Sequence, residues 1–235
     1  MPGAGVAFWA GTVRLAAPPV GVPASRDTGT VVTVAAAPTV DELRADARGC
    51  RACDLWRPAT QTVFGEGPAP APMMLVGEQP GDQEDRAGRP FVGPAGQVLD
   101  EALVGAGIDR SSVYLTNAVK HFRWTPRGKR RIHQPPNRTQ VAACQPWFAA
   151  ELRAVTPSVL VLLGAVASQA VFGSGFRVTS QRGRVLQAPD GTTTIATLHP
   201  SSILRGSPDS RQSRMRDLVD DLTLAEETLE RMRHQ

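Results

Sequence analysis

The chain has 235 residues, of which 41% are hydrophobic, with a formal net charge of +4 and an isoelectric point near 9.5. This length and apolar content suffice for one domain of about 190 residues with a tail. No apolar run approaches the roughly 18 residues that a membrane-spanning helix needs, so we expect a cytoplasmic protein whose basic surface permits nucleic-acid binding.

The first part of the chain differs in composition from the rest. Residues 1–38 are rich in Ala, Gly, Pro, Val and Thr without a helical or alternating pattern, which predicts a disordered or loosely attached tail. At Thr39 the pattern changes, because Thr39 and Glu42 have the spacing of a capping box. We therefore predict that residues 39–235 form one folded domain that begins with a short helix.

Short apolar runs then alternate with helical patterns, and no segment repeats another. The predicted strands cover 73–78, 112–119, 158–164 and 193–200, with a hairpin arm at 185–188. The predicted helices cover 95–106, 139–155, 165–172 and a charged segment that begins near Asp209. This alternation predicts an α/β fold, a three-layer αβα sandwich around a central, mainly parallel four-stranded sheet.

Polar side chains stand where three of these strands end. Glu78 ends the first strand run, Asn117 lies near the end of the second, and His199 lies near the end of the last. Ligands of open α/β sheets collect at the carboxyl ends of the strands. Each residue alone is an ordinary loop residue, but a carboxylate, an amide and an imidazole at one edge predict an active site.

A basic segment, Gly128–Asn137, reads GKRRIHQPPN, and its two prolines bar a helix and predict a turn-rich loop. Lys129, Arg130 and Arg131 place positive charge directly before His133. A histidine in a basic loop indicates an anionic substrate. The alternative is a solvated charge run with an ordinary loop histidine, and this segment alone favours that alternative.

Three cysteines, Cys50, Cys53 and Cys144, form an odd set that contains a Cys-x-x-Cys pair. In a cytoplasmic protein this pattern indicates a metal site more than a disulfide. From these residues alone we favour zinc, because three cysteines and one histidine suit tetrahedral zinc. The fourth ligand stays open at this point.

Three segments resemble the signature motifs of the iron-sulfur, family 4 branch of the uracil-DNA glycosylases. They are GEQPGDQEDRAGRPFVGPAG at 77–96, TNAVKH at 116–121 and HPSSILR at 199–205. The resemblance covers about residues 48–225 with the motifs in the family order. KRRIHQ in the basic segment, together with Gln79, is similar to the UdgX subgroup.

The resemblance implies a uracil-DNA glycosylase that acts as a monomer on uracil-containing DNA, preferably single-stranded, in the bacterial cytoplasm where the nucleoid lies. In the UdgX subgroup the enzyme links itself covalently to the DNA after it releases uracil. The resemblance therefore implies that His133 intercepts the sugar at C1′ before water does, and that the enzyme turns over once.

The resemblance also assigns the pocket. A flipped uracil needs an aromatic face and hydrogen bonds to its edge, and Phe91 and Asn117 match the family residues that supply them. The Asn117 amide pairs with O4 and N3–H of uracil and is mispaired with cytosine. Gln79 and Asp82 are expected to shape this pocket.

For the reaction, the resemblance places His199 beside uracil O2, where an imidazole N–H stabilises developing negative charge. Glu78 is expected to pair with His133, to orient its ring and to accept its proton. The residues predicted to contact DNA are Lys129, Arg130, Arg131, Ser201, Ser202 and Arg205.

Family members hold a 4Fe-4S cluster with four cysteines, the third of them directly after the lysine of the second motif. Here Lys120 is followed by His121 instead. We therefore predict a 4Fe-4S cluster in a structural role, since base excision needs no electron transfer, with a ligand set of Cys50, Cys53, His121 and Cys144. A three-cysteine cluster with an outside ligand, or zinc, are the alternatives.

Two other functions remain open at this level. A conventional multiple-turnover glycosylase shares every motif and differs only in the role of His133. A non-catalytic, metal-containing nucleic-acid-binding module explains the basic charge but not the strand-end residues. A phosphate-binding nucleotide enzyme is disfavoured because no P-loop follows the first strand.

Overall fold

The computed structural model describes residues 37–234, which form a central sheet with helices on both faces and a two-stranded hairpin. The predicted tail, residues 1–38, lies outside the described residues except for its last two positions. The strands are β1 (Met73–Gly77), β2 (Val113–Asn117), β3 (Trp124–Arg127), β4 (Arg130–His133), β5 (Val159–Leu163), β6 (Val185–Gln187) and β7 (Thr193–Thr197). The helices are α1 (Val40–Ala47), α2 (Asp82–Ala87), α3 (Pro94–Gly105), α4 (Arg138–Val155), α5 (Gly164–Phe172), α6 (Val178–Gln181), α7 (Ser201–Leu204) and α8 (Pro208–Arg233).

The central sheet has the strand order β2-β1-β5-β7-β6. Its first four strands are parallel, and β6 runs antiparallel to β7. The predicted α/β class and mainly parallel sheet are confirmed, but the sheet has five strands instead of four. The predicted hairpin arm is the fifth strand, a three-residue edge strand that pairs antiparallel with β7.

The parallel strands are apolar on both faces because helices cover the sheet on both sides. In β1, Met73 and Leu75 pack into a core that includes residues of α3 and α8, whereas Met74 and Val76 pack into a core with α1, α4 and α5. Alternate side chains of β1 thus pack against helices on opposite faces of the sheet, which gives the three-layer sandwich. Among residues 37–234, no helix has both the length and the apolar character needed to cross a bilayer.

The basic segment predicted as a loop is one arm of a β-hairpin. Strands β3 and β4 pair from Trp124 opposite His133 to Arg127 opposite Arg130, and Gly128 takes a positive φ of 60° at the turn. The sequence pattern misses this hairpin because both strands are only four residues long and largely exposed. His133 therefore lies at the base of a hydrogen-bonded hairpin.

Candidate active site at the carboxyl ends of the strands

The strand ends bring three predicted residues to one edge of the sheet. Gly77 at the end of β1 lies opposite Asn117 at the end of β2, so Glu78 emerges beside Asn117. His199 follows β7 after Leu198. Because the strands are parallel, their carboxyl ends meet at the same edge. A carboxylate, an amide and an imidazole are therefore available to one ligand.

Gly77 provides the space in which an aromatic ring and an amide meet. A methyl group on Gly77 would lie 2.7 Å from the Phe91 ring and still closer to the carboxamide oxygen of Asn117. Phe91 and Asn117 are both buried. Gly77 was not among the site residues predicted from the sequence, because a glycine at the end of a strand usually indicates only a turn.

Phe91 is held in place by its backbone surroundings. Its φ of 54° is in the left-handed region, which costs a bulky residue energy. The Glu84 carboxylate accepts hydrogen bonds from the amides of Gly81 at 3.1 Å and Gly93 at 2.8 Å, and an Arg110 Nη2 donates to the Phe91 carbonyl at 3.3 Å. Glu84 was also missed, although its position in the first turn of α2 is a capping signal.

His199 has a defined tautomer. Its Nδ1 lies 3.2 Å from the amide nitrogen of Ser201, and this N–H can only donate, so Nδ1 accepts. The Ser201 hydroxyl also lies 2.8 Å from Nδ1. Burial, with the charges of His133 and Arg205, lowers the pKa of His199 to about 4. The neutral ring therefore carries its proton on Nε2, which has no hydrogen-bond acceptor among residues 37–234.

Glu78 and His133 face each other across the edge of the sheet. Glu78 Oε1 lies 3.5 Å from His133 Nε2, and this oxygen is buried without a hydrogen-bond partner among the described residues. Burial raises the pKa of Glu78 to about 7, against the opposing effect of Arg205. Burial and Arg205 lower the pKa of His133, whose side chain is 46% exposed. Near pH 7 the imidazole is neutral and reachable.

The short helix α7 and its end supply Arg205 and two serines. Arg205 is exposed, and it influences the pKa of Glu78, His133 and His199. Ser201 is engaged with His199, whereas the Ser202 hydroxyl is buried without a partner among the described residues. The predicted DNA-contacting arginine thus lies within electrostatic reach of these three side chains.

Gln79 holds the base of the hairpin. Its Oε1 accepts from the Arg123 amide at 3.0 Å, and its Nε2 lies 3.2 Å from the Arg123 carbonyl and 2.9 Å from the Gln134 carbonyl. These three bonds occupy the side-chain amide. The structure therefore places Gln79 where it positions β4 and His133, although the sequence suggested a place in the pocket.

Arg131 points inward, unlike its two basic neighbours. Its guanidinium forms ion pairs with Asp82 and Asp85, the latter at 2.6 Å, and its side chain is 13% exposed. Lys129 and Arg130 are exposed at the tip of the hairpin. Asp82 thus holds the hairpin against α2, and of the three hairpin cations predicted to contact DNA, Lys129 and Arg130 remain open to solvent.

A buried lysine connects the second strand motif to α4. Lys120 Nζ donates to the Asn117 carbonyl at 2.7 Å and to Thr116 Oγ1 at 2.8 Å, and it forms an ion pair with Glu151. Its backbone N–H lies 3.3 Å from Cys144 Sγ. Both charged groups are paired and hydrogen-bonded, as burial requires. The network holds the backbone of Asn117.

The three cysteines gather beside this network. Cys53 packs against the buried cluster of Leu55, Val119 and Cys144, and Trp147 Nε1 lies 3.2 Å from Cys50 Sγ. Burial raises the pKa of Cys144 to about 11, and the thiols of Cys53 and Cys50 add to the effect, so the three sulfurs are neighbours. No disulfide joins them. Thiolate sulfur is a soft ligand, and a site with three such ligands suits iron or zinc.

His121 lies buried in the same region. Its Nε2 is 3.1 Å from Thr62 Oγ1, and its Nδ1 has no hydrogen-bond partner among the described residues. Within residues 37–234, no group of three or more His, Cys, Asp or Glu side chains is arranged to hold a single metal ion. Thiolates, and less often imidazoles, are the donor types that hold iron-sulfur clusters.

Comparison with known proteins agrees with this arrangement. The profile of the Uracil DNA glycosylase superfamily matches residues 64–223. The chain is 38% identical to the type-4 uracil-DNA glycosylase of Thermotoga maritima over 175 residues, 72% of this chain and 83% of that protein. It is 33% identical to the type-4 uracil-DNA glycosylase of Archaeoglobus fulgidus over 173 residues, 71% of this chain and 83% of that protein.

A more distant relative is the type-5 uracil-DNA glycosylase of Pyrobaculum aerophilum, 30% identical over 190 residues, which cover 74% of this chain and 80% of that protein. The superfamily match spans the sheet, the strand ends and most of α8. On these matches and on its α/β fold, the chain belongs to the uracil-DNA glycosylase superfamily.

Proposed function

We propose that this protein excises uracil from DNA, preferably from single strands, and then becomes covalently attached to the abasic site through His133. The observation that carries the proposal is the position of His133, whose Nε2 lies 3.5 Å from Glu78 Oε1 at the edge where Asn117 and His199 also stand. A non-catalytic binding module would not need a carboxylate, an amide and two imidazoles at one edge of the sheet. Superfamily membership supports the glycosylase activity itself.

Base recognition uses the Phe91 ring and the Asn117 carboxamide, which meet over Gly77. Uracil leaves the stack and lies against the Phe91 ring, while the Asn117 carboxamide donates to O4 and accepts from N3–H. Cytosine presents the opposite polarity at both atoms, so the buried amide is left mispaired. The Lys120 bond to the Asn117 carbonyl holds this strand end in position.

Cleavage breaks the bond between N1 of uracil and C1′, and both electrons go to the base. The Nε2–H of His199 donates to O2 and stabilises the negative charge that develops there. Because Nδ1 of His199 accepts from Ser201, the donor is already oriented before the substrate arrives. Uracil then takes up one proton and leaves.

Trapping forms a bond between C1′ and an unprotonated ring nitrogen of His133. The nitrogen lone pair fills the electron-poor sugar carbon, the imidazole becomes a cation, and the proton on the other ring nitrogen is then released. In this step the Glu78 carboxylate, 3.5 Å from His133 Nε2, stabilises the positive charge and accepts the proton. An N-alkyl bond has no easy leaving path, so each molecule reacts once.

The structure also suits a conventional glycosylase, because a carboxyl group with a raised pKa can activate water. In that alternative Glu78 is the general base and His133 contacts DNA. The exposed cations Lys129, Arg130 and Arg205 bind DNA phosphates in both versions.

Cys50, Cys53, Cys144 and His121 would hold a 4Fe-4S cluster. Bound there, the cluster ties together the segment after α1, the end of the β2 motif and α4, a structural role that involves no electron transfer. The residues that act on uracil lie on the strand ends, and the Lys120 network connects the two regions.

We expect the single-turnover rate of attachment to rise with pH through about 7 and then to level off, because Glu78 ionises there. The pKa of His133 is lowered, so its ring is already neutral in this range. Rapid-quench assays on a uracil oligonucleotide measure the profile. Glu78→Gln is expected to be slower and insensitive to pH over the same range, and a rate that falls as pH rises would contradict the assignment.

The direct test uses a labelled single-stranded oligonucleotide with one uracil and a denaturing gel without alkali. We expect a band shifted by the mass of the protein, and none with a thymine control oligonucleotide. Free DNA that breaks only after alkali would instead establish hydrolysis and multiple turnover. DNA that binds the protein but keeps its uracil would support the non-catalytic alternative.

A further inference from the structure

The hydroxyl of Thr62 stands between His121 and the backbone of α1. Thr62 Oγ1 donates to the Ala47 carbonyl at 2.9 Å and lies 3.1 Å from His121 Nε2. A hydroxyl has one proton, and a carbonyl oxygen can only accept. The Thr62 hydroxyl therefore donates its proton to the Ala47 carbonyl and accepts a hydrogen bond from the His121 ring. His121 consequently carries its proton on Nε2.

This tautomer leaves a lone pair on Nδ1. The ring is buried, and Nδ1 has no hydrogen-bond partner among the described residues. A buried acceptor without a partner is costly to a folded protein, and such groups need an explanation. A neutral imidazole with one nitrogen bound to a hydrogen-bond acceptor and the other free is the form in which histidine binds metals.

Two connections tie this ring to the cysteines. The Ala47 carbonyl that accepts from Thr62 also accepts from the Cys50 amide at 3.0 Å. On the other side, the amide of Lys120, the residue before His121, lies 3.3 Å from Cys144 Sγ. The Thr62 hydroxyl, the Ala47 carbonyl and the Cys50 amide thus form one hydrogen-bonded chain from the ring to a cysteine.

We propose that Thr62 is a positioning residue for the cofactor, which fixes the Nε2–H tautomer of His121 so that Nδ1 binds iron as the fourth ligand. The inference rests on the iron-sulfur cluster and not on the glycosylase reaction. Outer partners of metal-binding histidines typically contribute about 10-fold to 100-fold to metal affinity. The sequence gives no sign of this role, because Thr62 is remote from every motif.

The first test needs no variant. The protein is produced with histidine labelled with ¹⁵N at Nδ1 alone or at Nε2 alone, and the cluster is made paramagnetic by one-electron oxidation or reduction. Electron–nuclear double resonance then detects the ligating nitrogen. We expect the strong coupling from Nδ1. A strong coupling from Nε2, or none from either nitrogen, would overturn the proposal.

The second test compares Thr62→Val with Thr62→Ser. Valine keeps the shape of threonine without the hydroxyl, whereas serine keeps the hydroxyl. We expect Thr62→Val to lose iron to a chelator about 10-fold faster than the wild type, and Thr62→Ser to stay close to the wild type. Equal rates in both variants would refute the positioning role.

Metal analysis separates this inference from the proposed function. Zinc instead of iron in the purified protein would overturn the inference without affecting uracil excision. Bound iron with Nδ1 coupling but no uracil release would contradict the proposed reaction and leave the role of Thr62 supported.

Discussion

Replacing His133 with serine is expected to abolish the protein–DNA adduct and to produce a glycosylase that turns over many times. In the proposed reaction the imidazole occupies the approach to C1′; its Nε2 lies 3.5 Å from Glu78 Oε1, and its side chain is 46% exposed. Serine is smaller and a poorer nucleophile, so water reaches the sugar cation in its place. Glu78 remains to orient and activate that water.

Uracil release at about tenfold substrate excess measures this change, since a single-turnover protein stops at one equivalent. The wild type is expected to release one uracil per molecule and His133→Ser to consume the whole substrate. Lys129→Ser is the matched control, because Lys129 belongs to the same hairpin but is exposed at its tip. That variant is expected to keep the adduct, to bind DNA more weakly and to show a smaller dependence of DNA affinity on salt.

Either of two results would contradict the model of trapping by His133. An adduct that persists in His133→Ser assigns the bond to another residue. Complete loss of uracil release, with DNA binding intact, makes His133 necessary for cleavage itself. Peptide mapping of the wild-type adduct identifies the attached residue independently, and it is expected to be His133.

Replacing His199 with alanine is expected to lower the single-turnover rate of uracil release by about 10²-fold to 10³-fold, the usual effect of removing one oxyanion-hole donor. The donor is the Nε2–H, whose direction is set because Nδ1 accepts from Ser201. The pKa of His199 is lowered to about 4, so the ring acts as a neutral donor across the neutral pH range. DNA affinity is expected to change little.

Ser201→Ala tests the cause of this orientation. The variant loses the hydroxyl at 2.8 Å from Nδ1 but keeps the backbone N–H that defines the tautomer. We therefore expect a much smaller loss of rate than with His199→Ala. A loss as large as that of His199→Ala would mean that the hydroxyl, and not the amide, holds the ring. An unchanged rate in His199→Ala would exclude His199 from catalysis.

The hairpin shows how contacts distant in the chain prepare these residues. Gln79 binds Arg123 and Gln134 at its base, and Arg131 is paired with Asp82 and Asp85. Both sets of contacts hold β4 against the segment that follows β1. His133 thus lies on a strand that is held at several points, and the proposed interception of a short-lived cation before water requires such fixed positioning.

The sequence by itself determined the fold class and the edge where the site lies. Apolar runs separated by helical patterns require a layered α/β sheet, and parallel strands bring their carboxyl ends together, so Glu78, Asn117 and His199 had to meet. The capping box at Thr39 and Glu42 is equally local, and the structure contains it as predicted.

Only the tertiary structure decided which atoms these side chains present. Gln79 and Arg131 form hydrogen bonds and ion pairs within the protein. Their partners lie in segments that are distant in the chain and that folding brings close. The donor nitrogen of His199 and the free nitrogen of His121 depend on single hydrogen bonds. Local patterns reflect spacing along the chain, whereas hydrogen-bond direction depends on distances between segments that only folding brings together.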